Sequence, residues 1–194
     1  MTKVAIIFHT GLGHTGKTAH AVAEGARGVE GVEVQVFEIK GEQIVEGRWS
    51  GDEVLNELSA SDAIIFGAPT YMAGPSAQFK AFADATAGIW FGQAWKDKFA
   101  AGFSASGTPA GDKTITHHYF SALAAQHGMI WIGQSELSSQ FFGSNEGINA
   151  NGHYMGLGVI GGNDPKDDNP NEGDLKTARL FGARVAGIAA RRSG

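Results

Sequence analysis

Apolar and polar positions along this chain alternate between two rhythms. Residues 3–8 form a continuous apolar run, the signature of a strand buried on both faces of a parallel sheet, and it breaks into small and polar residues over 9–15. From 16 to 29 the spacing lengthens: Ala19, Val22, Ala23 and Ala26 share one helical face, small enough for tight packing on a sheet. Val32, Val34 and Val36 predict a second strand, and residues 52–58 a short helix after a loop that carries Gly47 and Trp49. The buried-strand pattern returns at 62–67 and at 98–103, with a helix over 76–86 between them. Another helix over 115–127 leads to a fifth strand at 129–132. A last amphipathic helix over 175–190 turns Leu180, Val185 and Ile188 inward.

Strands alternating with helices predict an α/β doubly wound sheet of five parallel strands in the order 2-1-3-4-5, formed by one domain over 1–194. A long insertion precedes the last helix. It covers residues 134–171, is rich in Gly, Asn and Asp, and exceeds ordinary connection lengths, which marks it as a functional excursion. It also carries Phe141, Phe142, Tyr154 and Met155, aromatic and apolar residues that need a surface to pack on. In such sheets ligands sit beyond the carboxyl ends of the strands. The loops after strands one, three and four therefore converge on one crevice.

Composition narrows the chemistry. A net charge of −5, with no cationic run longer than Arg191-Arg192, gives no footprint for nucleic acid or an anionic membrane. No apolar stretch approaches the roughly 20 residues that span a bilayer, and the first three residues lead straight into a strand, so a cytoplasmic protein is expected. There is no cysteine, hence no disulfide or thiolate, and redox chemistry must come from a bound cofactor. Adjacent His117 and His118 cannot share a helical face, which argues against a metal site and for two surface residues. Glycine accounts for 29 of 194 residues and clusters in loops, suggesting backbone that approaches a ligand closely.

Three motifs overlap in the first loop. Residues 11–18, Gly-Leu-Gly-His-Thr-Gly-Lys-Thr, match the P-loop pattern, which would place Lys17 on phosphates and Thr18 on magnesium. It also needs an acid at a strand end, whereas Asp62 sits at a strand start. Gly11, Gly13 and Gly16 equally spell G-x-G-x-x-G, with Glu38 where an acid would bind an adenosine ribose, but the chain is short for two mononucleotide halves. The third reading places a phosphate monoester among Thr10, His14, Thr15 and the backbone N–H groups of 11–16, where free amides and the helix dipole favour an anion.

Motifs spread over the whole chain favour the third reading. Gly13-His-Thr15, Gly67-Ala-Pro-Thr70, Ala77-Gln-Phe-Lys-x-Phe82, Gly88-Ile-Trp90, Phe103-Ser-x-Ser-Gly-Thr108, His127-Gly-Met129 and Leu175-x-x-Ala-Arg179-x-x-Gly182 occur in the order found in WrbA-type NAD(P)H:quinone oxidoreductases, and the chain resembles that family. The resemblance implies a flavodoxin-like fold, FMN, two-electron transfer from NAD(P)H to a quinone in one shared pocket, and homotetramers whose sites borrow residues from neighbours. It implies no catalytic nucleophile and no metal.

Carried over by position, Thr10, Gly11, Leu12, Gly13, His14 and Thr15 resemble the FMN phosphate site, and Pro69, Thr70, Tyr71 and Met72 the wall near flavin N5. Ser106, Gly107 and Thr108 would face the pyrimidine side and ribityl chain, Gln126 matches a histidine beside the flavin, and Trp90 would wall the substrate pocket. Leu12 stands where members usually have an aromatic residue, Tyr71 where Arg is common, and Pro109-Ala110 where Gly-Gly is common. The alternative function is a flavodoxin-fold electron carrier, or a flavin-free binding or scaffold protein.

Overall fold

The computed structural model describes residues 1–193. Along the chain run β1 (Thr2–Phe8), α1 (His14–Arg27), β2 (Val32–Glu38), a small antiparallel hairpin β3 (Ile44–Val45) and β4 (Arg48–Trp49), and α2 (Asp52–Ser59). Then come β5 (Ala63–Tyr71), β6 (Gly74–Pro75), α3 (Ala77–Ala85), α4 (Ala87–Phe91), β7 (Phe99–Ser106) and α5 (Lys113–Gln126). The chain finishes with β8 (Ile130–Trp131), β9 (Leu157–Ile160) and α6 (Glu172–Ser193).

The main sheet has the order β2-β1-β5-β7-β8, all parallel, which is the doubly wound order expected from the sequence. Apolar runs on both faces of β1, β5 and β7 explain the central position of these strands. Val4, Ile6, Ile65, Ala101 and Phe103 pack with α1 and α6 on one side. On the other side Ala5, Ile7, Ile64, Phe66 and Ala100 pack with α2, α3 and α5. The aromatic knot there is dense: the Phe79 and Phe120 ring centroids lie 4.8 Å apart, and Phe66 meets both. Trp49 and Trp95 are core residues, with indole N–H groups donated to Gln43 Oε1 and Ser59 Oγ.

Two expectations are corrected. The fifth strand is split: β8 pairs with the start of β7 through Phe99 and Ala100, and β9 pairs with its end over residues 103–106. The excursion therefore falls into two parts, a detour over 132–156 inside the fifth strand and a loop over 161–171 after it. The detour closes at its base, where Trp131 Nε1 donates to Met155 O at 2.8 Å and the Gln134 amide donates to Tyr154 O. A Gly-rich detour lacks the apolar periodicity that would have revealed the return to the sheet at β9. Leu180, expected inward, is exposed, whereas Ala178, Phe181, Val185 and Ala189 carry the buried face of α6.

Helices α1 and α6 lie against each other at closer range than ordinary side chains permit. A Cβ on Gly25 would overlap the carbonyl of Arg179, and one on Gly182 would overlap the carbonyl of Val22. Each helix thus gives up a side chain so that the other's backbone can seat. Arg179 ties the pair at the surface through Glu24 (2.8 Å) and Glu172 (3.0 Å).

Candidate functional site

At the carboxyl edge of the sheet, one crevice is lined by Gly11, Leu12, His14 and Thr15 after β1, by Pro69, Thr70 and Tyr71 at the end of β5, and by Ala105, Ser106 and Gly107 at the end of β7. Gly161, Gly162 and Asn163 after β9 close the last side. The three expected loops meet as the topology requires, and the fourth was missed. Its residues lie inside the excursion flagged in the sequence, but nothing in their pattern distinguishes them from the other small polar residues there.

The first loop is shaped for an anion. Gly13 precedes α1 with φ of 94°, a left-handed conformation that glycine adopts without strain, and its N–H donates to Thr10 Oγ1 at 3.1 Å. Thr10 and Gly13 thus shape the loop without lining the crevice. No side chain caps the helix start and no acidic residue occupies its first turn, so free amides and the positive end of the dipole face the crevice. Small residues and donors without a competing carboxylate cap fit a phosphate monoester.

The same geometry removes the rival P-loop reading. The Thr18 hydroxyl donates to His14 O at 2.9 Å, while Lys17 Nζ donates to Asn169 O and Asp167 O. Asp62 accepts from the Lys3 amide at the far edge of the sheet. Neither a terminal phosphate nor magnesium finds its ligands, and the described residues contain no cluster able to hold a metal. Glu38 is exposed beside a separate polar cleft with His9 and Lys40, as expected of a solvated strand end.

His14 is buried and turned toward the loop after β9. Its Nε2 lies 2.9 Å from Asp167 Oδ1 and 3.1 Å from Asp164 O; since both partners accept, Nε2 carries the proton. For Asp167, desolvation pushes the carboxyl pKa upward, but the amides of Asn169 and Asp164 and the His14 ring outweigh it and hold it below the usual range.

The β5 and β7 walls are joined beneath the crevice by hydroxyls. Thr70 Oγ1 lies 2.8 Å from Ser104 Oγ and 2.7 Å from Thr116 Oγ1, and Ser104 donates to Ala68 O. Beyond Thr70, Tyr71 is exposed at the crevice and Met72 lies fully exposed at the turn into β6, beside the crevice but outside its lining.

Behind Ser106 lies a group that the sequence reading missed. Lys113, at the start of α5, is fully buried, and its Nζ donates to Ser106 Oγ at 2.7 Å and to Thr108 O at 2.8 Å. Thr108 is thereby fixed by its carbonyl while lying outside the crevice lining. Burial lowers the Lys113 pKa to about 8, partly opposed by Asp174. Asp174, pushed upward by its own burial, accepts from the Ile160 amide and from Asn151.

Nearby, His117 is wholly buried and donates Nε2–H to Leu157 O at 3.1 Å, which corrects its expected surface position. Burial lowers its pKa to about 3. Positions 113, 116, 117, 120 and 124 form the inner stripe of α5, and only His118 of the histidine pair faces water.

Gln126 and Trp90 do not reach the crevice of their own chain. They line a second cavity between α3, α4 and α5, together with Tyr119, Leu123 and His127. There burial raises Tyr119 to about 12 and lowers His127 to about 4. His127 Nε2 lies 2.9 Å from Thr86 Oγ1.

This crevice sits on a chain whose residues 2–143 match the NADPH-dependent FMN reductase family. The chain belongs to that family. FMN, the cofactor expected from the sequence, is the flavin of the family and of its flavodoxin relatives. The chain is similar to flavodoxin FldP of Pseudomonas aeruginosa, strain UCBPP-PA14, with 37% identity over 190 residues and 97% of each chain covered. It is also similar to the solved structure of a flavodoxin, WrbA-like protein from Agrobacterium tumefaciens (38% identity, TM-score 0.74, 98% of this chain and 99% of the other). A flavodoxin from the domain Archaea shares the fold at 18% identity and TM-score 0.63, with 97% of this chain and 99% of that one covered. Among the described residues no helix is long and apolar enough to cross a membrane.

Proposed function

We propose that the crevice holds FMN and that the protein is a cytoplasmic NAD(P)H:quinone oxidoreductase working by a ping-pong route. The observation that supports this best is the uncapped start of α1 opening into a crevice whose other walls come from β5, β7 and β9. In this reading the phosphate takes the amides of residues 11–16 other than Gly13, whose N–H is held by Thr10, with Thr10, His14 and Thr15 around it. Pro69, Thr70, Tyr71 and Met72 flank the ring system on one side, and Ser106, Gly107 and Thr108 on the other. Bound there, FMN would supply two-electron redox chemistry between NAD(P)H and a quinone.

The protein's own groups bind and orient. The Thr70, Ser104 and Thr116 hydroxyls brace the crevice walls, and amides at Gly107 and Thr108 would favour negative charge on the pyrimidine side. No side chain is needed as a nucleophile. Trp90 joins the substrate pocket, and Gln126 the edge of the flavin, by assembly: in a homotetramer a neighbour's cavity edge covers the crevice. Exposed Phe91, Phe141 and Phe142 are apolar surface of the kind that such association buries.

The test is the absorbance spectrum of purified protein with FMN, followed by anaerobic NADH or NADPH and then a quinone. Flavin bleaching by a nicotinamide and its return with quinone are expected. Bound flavin that neither nicotinamide bleaches would favour the carrier reading, for which the similarity to flavodoxin FldP speaks. Absence of FMN binding would leave the flavin-free module.

A further inference from the structure

The buried ammonium of Lys113 is not required by any step above. Its surroundings nevertheless face the candidate flavin site. Its two hydrogen bonds go to neutral oxygens, Ser106 Oγ and Thr108 O, and among the described residues it forms no ion pair. The opposing charge that acts on it, Asp174 on α6, directs its oxygens elsewhere, to the Ile160 amide and Asn151. The other titratable groups facing Lys113 are His117, buried on α5 and held neutral, and His153 on the detour, whose Nε2–H goes to Pro109 O and whose pKa burial also lowers. His118 points to solvent. A positive charge thus sits beneath residues 106–108, with its counter-charge displaced toward β9. In a low-dielectric interior such an offset pair has a directed field.

We propose that Lys113 is a positioning residue that sets the redox potential of the flavin: its buried charge acts through the loop over 106–108 to favour the reduced cofactor over the oxidised one. This rests on the reading that FMN occupies the crevice. Two-electron reduction that takes up one proton leaves the flavin one unit more negative than before, and a cation fixed below its pyrimidine side stabilises that added charge without reorganisation. Reduction in turn makes Lys113 hold its proton more tightly. Above the pH at which Lys113 begins to lose its proton beside oxidised flavin, about 8 for the protein without cofactor, reduction takes up a second proton, at Lys113.

Spectroelectrochemical titration of the FMN-loaded protein between about pH 6.5 and pH 9.5 tests this, using wild type, Lys113→Met and Lys113→Arg. One proton per two electrons gives a fall of about 29.6 mV per pH unit, and a second proton doubles it to about 59 mV. Wild type should change from the first slope to the second on the alkaline side. Lys113→Met should keep the first slope throughout and show at least a tenfold smaller preference for reduced over oxidised FMN, a drop of about 29.6 mV or more. Lys113→Arg, which keeps a charge that does not titrate, should retain most of the potential but lose the break in slope.

A wild-type potential with one slope across the range overturns the uptake of a second proton at Lys113, even if the Met variant does not fold. A Met variant that binds FMN at the wild-type potential overturns the proposal. Wild type that binds no FMN overturns the underlying flavin reading and this inference with it, and calorimetry with FMN identifies that outcome before any potential is measured.

Discussion

The His14 imidazole and the Asp167 carboxylate, 153 residues apart in sequence, meet at 2.9 Å, so the loop after β9 is fastened to the first turn of α1. This contact brings Gly161, Gly162 and Asn163 to the crevice. Asp167→Asn should loosen residues 161–169 and leave the sheet unaffected. Hydrogen exchange resolved by segment should show faster exchange confined to that loop, with FMN retention reduced. Unchanged exchange there would mean that the loop is held by other contacts.

The uncapped start of α1 should distinguish a phosphate from its absence. FMN is expected to bind at least about tenfold more tightly than riboflavin, or about 1.4 kcal/mol, a modest figure for charge-assisted bonds from several amides. Thr15→Val should reduce that margin. Calorimetry with FMN, riboflavin and magnesium-ATP measures it, and saturable ATP binding would count against the site as described.

Trp90 lies outside its own chain's crevice, so its effect on catalysis should depend on assembly. Trp90→Ala should impair quinone turnover more than FMN affinity. Dilution should weaken FMN retention, while FMN should strengthen association, because linked equilibria act in both directions. Sedimentation across a concentration series, with and without FMN, checks the second pair of expectations. A monomer at high concentration with FMN saturating would return Trp90 to a surface packing role.

Acid should destabilise the fold from within. His117 and His127 are buried with pKa values near 3 and near 4, below the 6.5 of an exposed imidazole. The unfolded chain therefore binds more protons between these limits. Stability is fully present above about pH 6.5 and is lost as pH falls, with a limiting slope of about 1.4 kcal/mol per pH unit for each histidine. Urea unfolding at a series of pH values measures the slope, and His127→Gln should make it shallower.

Much of this was readable in the chain because buried strands and helical stripes announce themselves. Residues 3–8, 62–67 and 98–103 are apolar on both faces, and that alone orders the sheet and brings their following loops together. What escaped notice depended on geometry without a local pattern. Lys113 lies in the two residues by which the start of α5 was placed too late, and a lysine there reads as a wet helix start until its burial is known. Gly161 to Asn163 are short polar residues whose importance comes from the return of β9 to the sheet, which four residues of strand do not advertise. Hydropathy alone turns Leu180 inward, whereas the close approach of α1 fills that side with Ala178, Phe181 and Gly182.

The notch between α1 and α6 makes the far end of the chain a determinant of the anion loop. With backbone lying on backbone at Gly25 and Gly182, no side chain lies between the helices at those two points to absorb an error. A methyl group added at Gly182 would lever α1 as a rigid rod, and its uncapped end, where the loop over 10–15 takes its shape, would move with it. The last helix contributes no side chain to the crevice, yet it aims the amides that line one wall.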